Sequence, residues 1–577
     1  MTESTPSAAT GARTWAQRTL RRLLPGRPQL DPRLWWILFA VLFGAGALVR
    51  GLLTTTLGIP SIGPDSFAYL TPALASPWLP LSEPVTLGEP YLIALSLALF
   101  HHPMGFLVVN NLLWAVSTLA IVLTLRFRLG LRAGSLALLA CLSLVHANLG
   151  AEYELLSEHP ARALTLLFLA ALIRAMDAPW RIRNGAVLSL LVLASILIRP
   201  TGVVLAVALG IAYTVFWLRT SPALRGGVVL AAGVGACLLA AGLATNALLF
   251  KARFGDLGLT HHSGVNLYSH VAQYTDLTSP TYPDIKAGLR EILPAYKKWY
   301  TDRGIYCHSW VAFGIVRGDI ARDFGDHSPR SVVDQYIDRY PGTTPDARRN
   351  RIFQDLAVEG IRAHPTAYLI YAANRTALML SELPVAVRTT VGPDFSPMWL
   401  RAHLRSAGQF THLLDPDGGS PLATSSPGLH TWQTMGGSHP WQPPYATSPG
   451  AMARYDTTVR DMAPPVMSVT RALQYLTAPA LLALTLLLIP LTWHRLDQRL
   501  LLVLGACLMI VFGHSLLHGL VNTADASRYI IPVRDLWVVA MVIAFTLAPA
   551  ALRRLALAGI LFTRRAGRNT PPSPAGD

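Results

Sequence analysis

Several short polar stretches interrupt a largely apolar chain, and their residue types can do chemistry. The first, "LGIPSIGPDSFAYLTPA" (57–73), places Asp65 after Gly-Pro at the exit of a hydrophobic run, with Tyr69 one helical turn further on. An Asp after Pro is an ordinary turn residue. In a partly apolar niche it can instead hold a raised pKa and act as a general base. The second stretch, "NLGAEYELLSEHP" (148–160), sets Glu154 and Glu158 at i and i+4. On a helix they share a face and could orient a hydroxyl or bind a divalent metal ion; the alternative is a solvated helix end favoured by the dipole. Arg199 in "LIRPTG", Lys251 and Arg253 just beyond residue 250, and Arg528 in "DASRYIIP" are cations at the ends of apolar runs. Each can snorkel to headgroups, and together they suit a phosphate whose lipid tail lies in a bilayer. His261 and His262 in "LTHHSGVNLY" are adjacent, a spacing that seldom brings both rings to one ion, so loop histidines and metal ligands are both open readings.

The elements that must position these groups are apolar helices. The 577 residues are 52% hydrophobic and only 14% charged, with mean hydropathy +0.39, where a soluble protein carries about 25% charged residues. Ten runs approach the ~20 residues that cross a bilayer. They lie at 34–56, 105–125, 131–148, 160–177, 185–199, 200–218, 226–250, 472–493, 499–519 and 532–552. A further apolar patch at 91–100 is too short to span and is expected along the membrane surface within the first outer loop, 57–104. Arginines concentrate in the N-terminal tail (1–33), in alternate connections (Arg126, Arg128 and Arg132; Arg181 and Arg183; Arg219 and Arg225; Arg495 and Arg499) and in the C-terminal tail (553–577). Ten spans put all of them on one side, which the positive-inside rule makes cytoplasmic. The expected location is therefore the plasma (inner) membrane, with both termini cytoplasmic and the polar stretches on the extracytoplasmic face. The net charge of +16 follows this topology and shows no basic, aromatic-interleaved face, which argues against nucleic acid as a partner.

The membrane module 34–250 is followed by a large extracytoplasmic segment, 251–471, and by C-terminal spans in 472–552. Within the large segment, Thr344 and Pro345 open a helix as N-cap and first turn, with Ile352, Phe353, Leu356, Ala357 and Ile361 at helical spacing. A second helix is expected after Pro365. The stretch 414–450 reads as an irregular loop, and its Trp432, Trp441 and Tyr445 could stack on sugar rings or form a small core. Cys141, Cys237 and Cys507 lie in apolar spans and Cys307 stands alone in the polar segment, so neither a disulfide framework nor structural zinc is expected. The first span has no small-residue cleavage site and reads as uncleaved.

Taken in order, these motifs resemble the GT-C type membrane glycosyltransferases that use polyprenyl-phosphate sugars, among them protein O-mannosyltransferases and the aminoarabinose transferase of lipid A. Asp65 in "GPDSFAYL" stands where that family has a catalytic acid in the first outer loop. "LLSEHPARALTLLFLAALIRA" is similar to the segment that opens its fourth span, with Glu158 as the second acid. "LIRPTG", "SRYIIP" and "IRAHPTAYLIYAANR" resemble its Arg-Pro turn, its Arg-Tyr-x-x-Pro before the last span and its outer His-Pro helix. Asp65 is followed by Ser66 and not by a second acid as in several relatives, which leaves the acid–base inventory and any metal requirement open.

The resemblance implies a mainly α, polytopic GT-C fold with an outer domain of mixed secondary structure inserted after the seventh span. It also implies inverting transfer of a sugar from a polyprenyl-phosphate donor to a hydroxyl acceptor on a lipid, glycan or protein. Asp65 would be the general base, and Arg199, Lys251 and Arg528 would hold the donor phosphate. Glu158 would orient the acceptor or hold a divalent ion. Tyr69, Glu154, His261 and His262 are the expected acceptor- and sugar-binding residues. A lipid-linked glycan flippase would need midplane polar groups or broken helices, and an O-antigen ligase or polymerase would use outer Arg and His without a first-loop Asp.

Overall fold

The computed structural model describes residues 30–57, 60, 66–102, 104–144, 155–302, 329–385, 498–521 and 529–547. All regular structure among the described residues is helical, so the strands expected of a mixed outer domain do not occur in its described part. In chain order the helices are α1 (Pro32–Leu57), α2 (Ser66–Ala75), α3 (Gly88–Phe100), α4 (Met104–Arg128), α5 (Arg132–Leu144), α6 (Glu158–Ala175), α7 (Ile182–Ile198), α8 (Val203–Arg219) and α9 (Pro222–Phe254). They continue as α10 (Ser263–Val271), α11 (Pro283–Asp302), α12 (Pro329–Tyr336), α13 (Pro345–Ala363), α14 (Pro365–Val385) and α15 (Gln498–Val521), with α16 over 531–547.

Among the described residues, five helical segments are long and apolar enough to cross a membrane: Pro32–Leu52, Met104–Arg128, Pro200–Arg219, Pro222–Phe254 and Gln498–Val521. The chain is a multi-pass helical membrane protein. Of the other expected spans, three fall on α5, α6 and α7, helices of 13, 18 and 17 residues. The span expected at 532–552 overlaps α16, and the one at 472–493 lies outside the described residues.

One core runs through the bundle, joining Trp35 of α1, Leu125 of α4, Phe168 of α6, Val192 of α7, Leu504 of α15 and Leu536 of α16. One charge buried inside it is held by several partners. Arg50 is 1% exposed, lies 3.8 Å over the Trp114 ring and donates to the carbonyls of Gly46, Leu142 and Ser143. Spreading its donors over three carbonyls offsets the cost of burying the charge. At one end of the bundle Asp177 pairs with Arg128 at 2.9 Å and with Arg499 at 3.0 Å, so the arginine-rich connections meet there.

A second core, around Tyr268, Leu289, Val333, Phe353 and Leu356, packs α10 to α13 together. α13 begins as its sequence predicts: the Thr344 hydroxyl accepts the Ala347 N–H at 3.1 Å and Pro345 occupies the first turn. From this unit α14 runs down beside α15, and its Met379 and Leu380 join the membrane core. Gly519 permits the contact, since a Cβ there would lie 2.7 Å from the Ala372 carbonyl oxygen.

Candidate functional site

The site is assembled at the end of the bundle opposite Asp177, where the ends of α6, α7, α15 and α16 meet. Its centre is Arg199. Pro200 disfavours helical geometry in the residue before it, and Arg199 accordingly takes extended dihedrals (φ −154°, ψ 128°) that end α7. The chain then reverses through the 3-10 turn Pro200–Gly202 into α8. The side chain is thereby held in the bundle, 7% exposed, with its Nη1 3.1 Å from Glu158 Oε1. Glu158 is the first residue of α6 and its side chain is 1% exposed. The guanidinium also lies 4.3 Å over the ring of Tyr529, at the start of the last segment. Three segments distant in sequence thus meet at one buried cation.

The first outer loop closes over this point. The Ser66 hydroxyl donates to the Leu155 carbonyl at 2.9 Å, and the Tyr69 hydroxyl pairs with Ser157 Oγ at 3.2 Å, beside Glu158. Thr86 donates to the Ile198 carbonyl at 3.1 Å, next to Arg199. A Cβ on Gly88 would lie 2.7 Å from the backbone of Leu197 and Ile198, so the absent side chain lets α3 begin directly against the end of α7. That contact carries Glu89 inward. Glu89 is fully buried, and neither of its carboxyl oxygens has a hydrogen-bond partner among the described residues. Burial, and then the charge of Glu158, push its pKa well above the ordinary carboxylate range, with Arg199 offsetting part of the rise. The opposite face of α3 presents Tyr91, Leu95 and Leu99 outward, as a surface helix at a lipid boundary would.

On the other side of Arg199 lie two histidines one turn apart on α15. His514 donates from Nε2 to the Tyr529 carbonyl at 2.8 Å. The His518 ring stands 4.6 Å from His514 and 4.8 Å from Tyr529, and its ring nitrogens have no hydrogen-bond partner among the described residues. Arg375 of α14 and His270 of α10 lie within electrostatic range of His518 and are themselves buried.

The remaining expected residues fall differently. His261 is buried in a separate contact: its Nδ1 donates to Glu83 Oε2 at 3.0 Å, and Thr344 donates to the same oxygen at 2.7 Å. This clip ties the first outer loop to the N-terminus of α13 and leaves His262 exposed. Lys251 is also exposed. It lies on the thirtieth residue of α9, about 44 Å along a helix that needs only ~30 Å to cross the hydrocarbon. The helix closes at Gly255 (φ +89°), whose N–H bonds the Lys251 carbonyl at 2.8 Å. Asp65, Glu154 and Arg528 lie outside the described residues, as does the loop at 414–450.

The fit of Glu158 to a divalent ion is poor on this geometry. Arg199 occupies one face of its carboxylate, and no group of three or more His, Cys, Asp or Glu side chains converges among the described residues. No step of the chemistry proposed below passes through a metal.

Reading the sequence for motifs missed Glu89, His514 and His518. His514 and His518 had a signal, an ionisable residue within an apolar run, which is a mark of function in membrane helices; Glu89 stands just before its run. Comparison of the chain with protein-family models, with curated proteins and with solved structures gives no match in any of the three.

Proposed function

We propose that the protein is an inverting glycosyltransferase that moves a sugar from a polyprenyl-phosphate donor to a hydroxyl acceptor at the extracytoplasmic face of the membrane. The observation that carries this reading is the meeting of Glu158, Arg199 and Tyr529 at one buried point beneath the first outer loop. These residues come from three of the motifs whose order resembles the GT-C enzymes.

Asp65 takes the proton of the acceptor hydroxyl as its oxygen attacks the anomeric carbon. The carbon–oxygen bond to the phosphate breaks on the opposite face, and the lipid phosphate departs with that electron pair, inverting the centre. Arg199 stabilises the charge growing on the departing phosphate, commonly a large share of such catalysis. Glu158 and the Tyr529 ring hold the guanidinium in one orientation, which spares the reorganisation a flexible cation would undergo. In this reading Tyr69, hydrogen-bonded to Ser157 beside Glu158, contacts the acceptor.

Purified protein incubated with radiolabelled polyprenyl-phosphate sugars should release label to an acceptor. Because a positioned base contributes about 100- to 10,000-fold, Asp65→Asn should lose turnover by that order while expressing normally. Retained turnover in Asp65→Asn removes Asp65 from this role.

A flippase reading draws on one feature, the Arg162–Asp535 pair, which closes at 2.6 Å inside the bundle with both side chains almost wholly buried. Both lie about one turn from the outer ends of α6 and α16, and they neutralise each other there and do not line a midplane path. Vesicles reconstituted with the protein separate the readings: a flippase moves labelled lipid between leaflets with the sugar still attached, whereas the transferase removes it.

A further inference from the structure

Next to the Glu158–Arg199 pair, α3 inserts a third ionisable group that the proposed chemistry does not use. Glu89 has no exposed surface and no hydrogen bond to either oxygen among the described residues. It is the second residue of a helix whose docking against α7 is enforced by Gly88. Arg199 also has an unmet atom, because its Nη1 lies 3.1 Å from Glu158 Oε1 without a hydrogen bond of good geometry to any described residue. A buried carboxyl and a buried guanidinium, each with unmet polar atoms, are groups that leave the solvent-exchange cost of burial unrecovered. A ligand that engages both recovers it.

The charge balance says which ligand. Glu158 and Arg199 already neutralise each other, so an ionised Glu89 would be an uncompensated buried charge. Neutral Glu89 presents one O–H donor and one carbonyl acceptor. An O–H beside spare guanidinium donors is complementary to an oxyanion, whereas an ionised Glu89 would repel one. We propose that Glu89 and Arg199 together form an oxyanion-binding point for a phosphate, with Glu89 donating its carboxyl proton in a hydrogen bond, so that phosphate binding and the Glu89 proton are thermodynamically linked. The identification of the phosphate as a lipid donor's rests on the glycosyltransferase reading; the proton linkage does not.

Among the described residues, the titratable and charged groups around Glu89 are few. Glu158 at the head of α6 and Arg199 at the end of α7 act on it directly. From the other elements packed near it, α2 brings Tyr69, bonded to Ser157, and α6 brings His159, whose Nε2 donates to the Asn110 carbonyl of α4 at 2.9 Å. The arginines of α4 and Arg183 of α7 lie at the far ends of their helices.

The test is the affinity of the purified full-length protein for a polyprenyl phosphate across a pH series, by calorimetry. Glu89→Gln keeps an N–H donor at every pH and so imitates the protonated form. One linked proton changes affinity by at most about ten-fold per pH unit. Wild type should lose affinity with rising pH more steeply than Glu89→Gln, the difference between the two slopes removing the contribution of the phosphate's own titration. Equal slopes overturn the proposal and leave the glycosyltransferase reading standing. Inorganic phosphate and the polyprenol without phosphate form the other arms. Binding of inorganic phosphate with the same slope difference supports the oxyanion point and removes the lipid assignment, and polyprenol binding as tightly as its phosphate overturns the oxyanion point. Should wild type bind no phosphate in any arm, both the oxyanion point and the donor class fall together. If Glu89→Gln does not fold, infrared difference spectra of wild type with and without polyprenyl phosphate give the same decision. A protonated carboxyl band that shifts on binding supports the proposal, and an unchanged spectrum in that region overturns it.

Discussion

At the scale of single residues, the site is built from charges whose partners are few and fixed. Breaking a buried ion pair by removing one partner typically costs about 3–5 kcal/mol, because the other charge is stranded. Glu158 and Arg199, at 1% and 7% exposed, are such a pair. Glu89 differs in having no hydrogen-bond partner of its own among the described residues, and its effect on stability has a definite sign. Burial raises its folded pKa well above that of the unfolded chain, so between the two values the folded state holds a proton that the unfolded state releases. Stability is therefore full below the unfolded value and falls as pH rises toward the folded one, by up to about 1.4 kcal/mol per pH unit within that window. Glu89→Gln removes this loss. Thermal unfolding in detergent should find the variant and wild type similar near pH 4 and the variant progressively more stable above it; a constant difference at all pH values would mean that Glu89 does not hold its proton on folding. Glu158 and Arg199 were legible in the sequence because each stands at the end of an apolar run beside a turn signal. Glu89 was not, because the hydrophobic run that buries it begins only two residues later and a lone Glu in a loop ordinarily faces water.

At the scale of elements, position is set by two close helix contacts. Gly88 lets α3 start against the backbone of Leu197 and Ile198, and this contact, with the Thr86 hydrogen bond to Ile198, carries Glu89 to Arg199. Gly88→Val should push α3 away from α7. Overpacking of this kind costs about 1–3 kcal/mol, little enough for a well-packed bundle to survive, while sugar transfer should fall far more than stability does. Size-exclusion behaviour and turnover measured on the same preparation check this, and unchanged turnover would show that the α3–α7 contact does not serve the site. The start of α13 was readable because Thr344 and Pro345 are local signals that need no tertiary partner. The course of α14 was not: a helix after Pro365 is plain from the sequence, but its descent beside α15 depends on Gly519, nearly 150 residues away. The end of α9 was not readable either: hydropathy ends the run near residue 250, whereas the helix itself continues to Phe254, with Lys251 exposed on it.

At the scale of the whole molecule, the chain sorts its charge by end. Asp177 gathers Arg128 and Arg499 at one end, while Glu158, Arg199, Tyr529 and the Glu83–His261 clip lie at the other. That separation was legible in advance, since alternate connections are arginine-rich and the intervening ones hold the acids and histidines. It has a consequence independent of any chemistry. If the arginine-rich end is cytoplasmic, positions 251 and 262, both exposed at the opposite end, must be reached from outside the cell, and position 181 in the Asp177 connection only from within. In a background lacking Cys141, Cys237, Cys307 and Cys507, the single variants Lys251→Cys, His262→Cys and Arg181→Cys supply the test. A membrane-impermeant maleimide should label the first two on intact cells or spheroplasts and the third only after permeabilisation. The reverse pattern would turn the molecule over and place the Glu158–Arg199 centre on the cytoplasmic side, where a soluble nucleotide sugar would be the accessible donor. Labelling of all three from one side would break the link between the two ends of the bundle and the two faces of the membrane.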